Sequence, residues 1–196
     1  MKHVILMISV FVFFVNVIFS QGDISTSEIV EEDRLDLKES SLIIRGTSTL
    51  HDWHSSSEKS KAFIVLNNSA TQVEKLSIII EVSSIKSSKG SSMMDKITRE
   101  SLKESDFPEI TYVFLDAEVV ENEDQELHIK MFGDLTIAGK TNKVSIITAI
   151  NKTGSEVVLN GSHELKMTDY DVDPPKAIFG TVQAGDKITI EFQVKF

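Results

Sequence analysis

Strict two-residue alternation constrains this chain more than any other feature. Ile188, Ile190, Phe192, Val194 and Phe196 alternate with Lys187, Thr189, Glu191, Gln193 and Lys195. In an extended backbone that pattern puts every large apolar side chain on one face and every polar one on the other. The same period recurs upstream. Leu76, Ile78, Ile80 and Val82 oppose Ser77, Ile79, Glu81 and Ser83, while Ile110, Tyr112 and Phe114 form another apolar row. Leu127, Ile129 and Met131 face away from His128 and Lys130, and Val144, Ile146, Thr148 and Ile150 follow at the same spacing.

Each of these segments must bury one face, and the links between them are too short for the helical crossovers that parallel strands need. With Leu35 to Ile44, Lys61 to Leu66 and a weaker run at Val157 and Leu159, the pattern predicts about eight strands in an antiparallel meander. Met93, Met94, Ile97 and Leu102 predict one short helix, which Pro108 stops at or before Phe107. The expected fold class is therefore all-β. Periodicity does not choose between a sandwich and a closed barrel, although closure would remove exposed edges.

Between two strands stands Met131 to Thr141. Gly133 and Gly139 flank Leu135, Thr136 and Ile137 there, which predicts a short excursion with tight or left-handed backbone. Gly185-Asp186 reads as a further turn. Asp169 to Pro175 reads as an irregular acidic loop kept out of any inner strand by its two prolines.

The first twenty residues are a separate object. Lys2 precedes a nearly unbroken apolar run from Val4 to Ile18, and small Ser20 precedes polar Gln21. This predicts a secretory signal peptide over residues 1–20, with an N-terminal membrane anchor as the alternative. A polar arm over 21–34 and one domain over 35–196 would follow, and export would place the protein in the periplasm or outside the cell. The formal net charge of −10 argues against nucleic acid or an anionic membrane surface as the main partner. Absence of cysteine excludes disulfides and a lipid-modified N-terminal cysteine.

Few residues carry obvious chemistry. His51, Asp52, Trp53 and His54 include two of the chain's five histidines and its only tryptophan. A metal site could begin there, but an extended backbone would point the two histidines to opposite faces, and spacing fixes no third ligand. No glycine-flanked serine elbow lies between a strand and a helix, and Gly133 and Gly139 lack the lysine and following helix of a phosphate loop. What remains is the apolar excess of the strand faces. It can fill a core, or it can line a cavity inside an eight-stranded barrel. The candidate lining is Ile78, Ile80, Tyr112, Phe114, Ile129, Met131, Ile146, Ile190 and Phe192.

The segment Gly133-Asp134-Leu135-Thr136-Ile137-Ala138-Gly139-Lys140-Thr141 resembles the signature of the YceI-like family, exported bacterial proteins known for binding polyisoprenoids. Met94 to Leu102 followed by Asp106-Phe107-Pro108-Glu109-Ile110-Thr111-Tyr112 is similar to that family's helix, proline junction and next strand. Ile44-Arg45-Gly46 and Gly185-Asp186 also fit. The resemblance implies an extended, eight-stranded, lipocalin-like antiparallel barrel with one short helix, whose apolar tunnel holds a long isoprenoid with its quinone or other head group nearer the mouth. Arg45, His51, Trp53 and Tyr112 are the polar groups expected to orient such a ligand. The implied role is non-enzymatic: binding, shielding or transport of an isoprenoid-like or other amphiphilic lipid, with no cofactor beyond that lipid or a quinone, no stable membrane anchor and a homodimer left open. A side-chain-filled barrel acting as an interaction module is the alternative, and a hydrolase is the third reading. Two departures stand out: Phe107 abuts Pro108 directly, and Thr49 to Trp53 looks like a variant of the family's segment.

Overall fold

In the computed structural model, residues 34–57, 59–67, 72–120, 127–177 and 179–196 are described. The expected signal peptide and all but the last residue of the expected arm lie outside them. Alternation resolves into twelve strands: β1 (Arg34–Asp36), β2 (Glu39–Ser48), β3 (Trp53–Ser57), β4 (Ser60–Leu66), β5 (Val73–Glu81), β6 (Lys86–Ser87), β7 (Glu109–Val120), β8 (His128–Ile137), β9 (Lys140–Thr153), β10 (Glu156–Lys166), β11 (Lys176–Ala177) and β12 (Val182–Lys195). One helix, α1 (Ser92–Ser101), lies between β6 and β7. None of the described helices is long and apolar enough to cross a membrane.

All strand pairs are antiparallel, in the order β1-β4-β5-β7-β8-β9-β10-β12-β2-β3-β6, with β11 added beside β12. The expected closed eight-stranded barrel does not form. Twelve strands curl through 292° and stop, leaving the two sheet edges 24 Å apart. At about 4.8 Å between paired strands, that gap is several strands wide and no ladder can bridge it; both edges are short, β1 with three residues and β6 with two. Arg34 also closes off its edge, pairing with Asp36 and lying 4.2 Å from the centroid of the Phe63 ring.

The strand count differs for local reasons. Leu35 to Ile44, read as one strand, switches neighbours midway: Leu37 N–H donates to the Ala62 carbonyl and Lys38 N–H to that of Lys195, so β1 joins β4 whereas β2 joins β12. β3 is a Trp-His-Ser-Ser-Ser run without an apolar row, and β6 and β11 are two residues long. Gly185-Asp186 is no turn either. It sits inside β12 where the register with β2 shifts, and the Asp186 carboxylate accepts from Thr168 N–H at 2.9 Å and the Thr168 hydroxyl at 2.8 Å.

Helix α1 starts where the serine-rich link supplies a cap, the Ser91 hydroxyl accepting from Met94 N–H. Asp95 is buried beside it and takes Ser87 N–H at 2.7 Å, which ties the helix to β6. That backbone hydrogen bond holds the Asp95 carboxyl below its ordinary pKa.

At Met131 to Thr141 the excursion is shorter than expected. β8 continues to Ile137, and only Ala138 and Gly139, both at positive φ, make the turn into β9. Gly133 is glycine for another reason. Its φ is ordinary, but a Cβ there would fall 2.5 Å from the Tyr112 ring. One end of the curled sheet is solid: Phe196, Val157 and Leu159 are fully inaccessible, with Ile64, Leu76, Ile129 and Met131 packed in the same cluster. Phe196 is held in place by exchanging backbone hydrogen bonds with Val157.

Candidate functional site

Three adjacent rungs of the sheet build most of one cavity wall. Leu165 of β10 pairs with Ile188 of β12, which pairs with Gly46 of β2, which pairs with Trp53 of β3. One inward step deeper the rung reads His163, Ile190, Ile44 and Ser55, and the next reads Gly161, Phe192, Leu42 and Ser57. Glycines in these rungs are spaces that rings occupy. Trp53 lies where a side chain on Gly46 would be, and Phe192 lies against Gly161. Trp53 is fixed by its indole N–H, which donates to the Thr47 carbonyl at 2.8 Å.

These rungs face Ile78, Ile80, Ile110, Tyr112, Met131 and Ile146 across a cavity of about 180 Å³, with Leu102 of the α1 end forming part of its cover. An apolar cavity of roughly 150 Å³ stays dry and accepts an apolar guest, so this volume is of the right order to hold part of a hydrocarbon chain. Half-buried Trp53, Ile188, Pro175 and Leu102 mark the side nearer solvent, and inaccessible Leu159 and Met131 mark the floor. Among the described residues the wall contains no lysine, arginine, aspartate or glutamate; its polar members are hydroxyls, the Trp53 indole and one histidine.

Of the residues singled out in the sequence, Trp53, Ile78, Ile80, Tyr112, Met131, Ile146, Ile190 and Phe192 lie on this wall. Phe114 and Ile129 do not: they share the inward face, but Ile129 is buried in the core and Phe114 is half-buried against it. Arg45 is turned the other way. Its neighbour Ile44 takes the inward position, and the guanidinium bonds Glu191 at 2.8 Å on the outer surface, which holds the Glu191 carboxyl below its ordinary pKa. His51 is exposed in the β2–β3 turn, its Nδ1 2.8 Å from the Asp52 carbonyl oxygen. Arg45, Asp52 and His54 border a separate, shallow polar groove on the outside. Among the described residues, no three potential ligands gather to hold a metal ion.

Three wall residues are electrostatically shifted by burial. Burial pushes the Tyr112 hydroxyl up to about 12, and its oxygen, wholly inaccessible, has no hydrogen-bond partner among the described residues. By contrast, a hydrogen bond with Asn142 offsets part of the rise that burial imposes on Tyr170. Burial also lowers the His163 imidazole, against a smaller opposing pull from Glu164. His163 was not among the sequence candidates. Its parity with Leu159 and Leu165 would have placed it inside.

A family model for the YceI-like domain matches residues 34–196. Among solved structures, BcnA from Burkholderia cenocepacia superposes with a TM-score of 0.65 at 17% identity, covering 80% of this chain and 96% of that one. A polyisoprenoid binding domain from Saccharophagus degradans, implicated in plant cell wall breakdown, gives 0.62 at 8% identity over 83% and 97%. The YCEI protein of Campylobacter jejuni gives 0.57 at 18% identity over 72% and 82%. At such identities the likeness concerns the fold. Among curated proteins, none matches the sequence.

Proposed function

The chain belongs to the YceI-like family, and from that premise we propose that it is a non-enzymatic binding protein for an isoprenoid-like or other amphiphilic lipid. The observation that carries this reading is the cavity wall: strand after strand contributes an apolar side chain, and among the described residues no charged group interrupts them. Burying a methylene contributes about 0.8 kcal/mol, so a hydrocarbon tail alone supplies affinity and the protein needs few specific polar contacts. The Saccharophagus domain described as polyisoprenoid binding shares the fold, which supports the ligand class.

On this reading residues 1–20 direct export, the mature protein works in the periplasm or outside the cell, and the lipid is shielded from water while bound. Trp53, Ile78, Ile80, Ile190 and Phe192 contact the chain of the ligand. Arg45 and His51, which lie outside the wall, take no part.

The test is native mass spectrometry of the protein purified from its producing cells without detergent, before and after organic extraction. A stoichiometric apolar mass lost on extraction is the expected result. A protein that is empty as isolated and takes up neither quinones nor polyprenyl lipids would overturn the reading, and the interaction module would replace it.

A further inference from the structure

His163 is the one imidazole on the cavity wall, and its surroundings give it nothing to do for the fold. It lies one inward step below Trp53, between Leu165 toward solvent and Gly161 toward the floor, and Ile190 is its cross-strand neighbour. Neither ring nitrogen hydrogen-bonds a described residue. Glu164, the next residue, points outward by alternation and is ion-paired with Lys187; it only partly opposes the lowering that burial imposes on the imidazole. A half-buried imidazole in such surroundings is kept neutral, and a neutral imidazole has one N–H donor and one bare nitrogen acceptor. Leaving both unused inside an apolar cavity costs free energy that one partner on a ligand would recover. A second polar group, the Ser55 hydroxyl, stands on the same rung.

We propose that His163 anchors the ligand through a hydrogen bond to an uncharged oxygen, a hydroxyl or carbonyl, that lies inside the cavity below Trp53. This deepens the lipid-binding reading and rests on it. The absence of charge among the described residues of the wall sets the class of ligand. A phosphate or pyrophosphate would enter with no lysine or arginine to meet it, since Arg45 faces outward and is engaged by Glu191. An unpaired buried charge is far more costly than an unpaired hydroxyl. The ligand is therefore an isoprenoid alcohol, ketone or quinone, not a polyprenyl phosphate.

The experiment compares geranylgeraniol, the hydrocarbon of the same skeleton and geranylgeranyl monophosphate, delivered from cyclodextrin. Binding is read from the fluorescence of Trp53, the chain's single tryptophan, which lines the same cavity. In the wild type the alcohol should bind about tenfold tighter than the hydrocarbon, the worth of one hydrogen bond, with the phosphate weakest. His163→Leu should erase the preference for the alcohol without weakening the hydrocarbon, and His163→Gln should keep most of it. In the unsubstituted protein the His163 ring-nitrogen resonances should move on adding the alcohol and not on adding the hydrocarbon, a readout that needs no variant to fold. Alcohol and hydrocarbon binding equally, a preference that survives His163→Leu, or a phosphate that binds as well as the alcohol would overturn the anchor and leave the lipid-binding reading standing. If none of the three binds, both fall together.

Discussion

The two ends of the curled sheet are written in the same alternating code and come out differently. Toward Phe196 the inward side chains meet: Val157, Leu159 and Phe196 have no accessible surface. Toward Trp53 the inward side chains are as apolar, yet Ile188, Ile190 and Phe192 remain partly accessible and border a cavity. Alternation fixes which face a residue takes; whether opposing faces touch depends on the distance across the curl and on where the glycines fall. Gly46 and Gly161 give their space to the Trp53 and Phe192 rings, so those rings lie along the wall. Hollow and solid are thus properties of the layer, not of the residue type.

Substitution at each end gives the largest expected contrast. Phe196→Ala empties a site already closed on all sides and should cost about 3–5 kcal/mol in urea unfolding. Ile190→Ala removes methyls that already border open space and adds little new void, so its cost should fall near the low end, about 2 kcal/mol. Equal losses would show that the cavity closes up in solution. Next in size, Gly133→Val drives a side chain into the Tyr112 ring, an overpacking cost of about 1–3 kcal/mol. That ring lines the cavity, so the displaced Tyr112 should also narrow it and weaken uptake of a fluorescent lipid. Loss of stability with unchanged uptake would confine Gly133 to a packing role.

The smallest effect is a pH dependence that singles out the hollow end. Folding lowers the His163 pKa from its ordinary 6.5, so just below pH 6.5 the unfolded chain binds more protons than the folded one. Stability should therefore begin to fall as the pH drops through 6.5 and stop falling, as far as His163 is concerned, once the pH passes below its folded value. Urea midpoints measured across that window should flatten in His163→Leu. Asp95 and Asp186, whose pKa values are lowered from 3.8 by backbone hydrogen bonds from Ser87 and Thr168, add their own loss only in stronger acid.

The sequence disclosed faces well and heights poorly. Ile78, Ile80, Met131, Ile146 and Ile190 were readable as inward because a strand has period two, but Phe114 and Ile129 share that parity and do not line the cavity. A period carries no information about position along the axis. Parity also sends Arg45 outward once Ile44 is inward, a conclusion that the appeal of a cation near an expected mouth obscured. His163 was missed for the converse reason, as a polar residue in an apolar row. The seam was not legible at all: β1 and β6 are too short to show a pattern, and the serines of β3 hide a strand whose inward members Ser55 and Ser57 are buried.

That seam has a geometric consequence. In a sealed barrel the girth is locked by the number of strands and their stagger, so widening the bore requires adding a strand or slipping a register. A sheet whose ends stand 24 Å apart is a split ring, free of that lock. Its calibre can follow its contents by small changes of twist spread over many ladders, each keeping its hydrogen bonds.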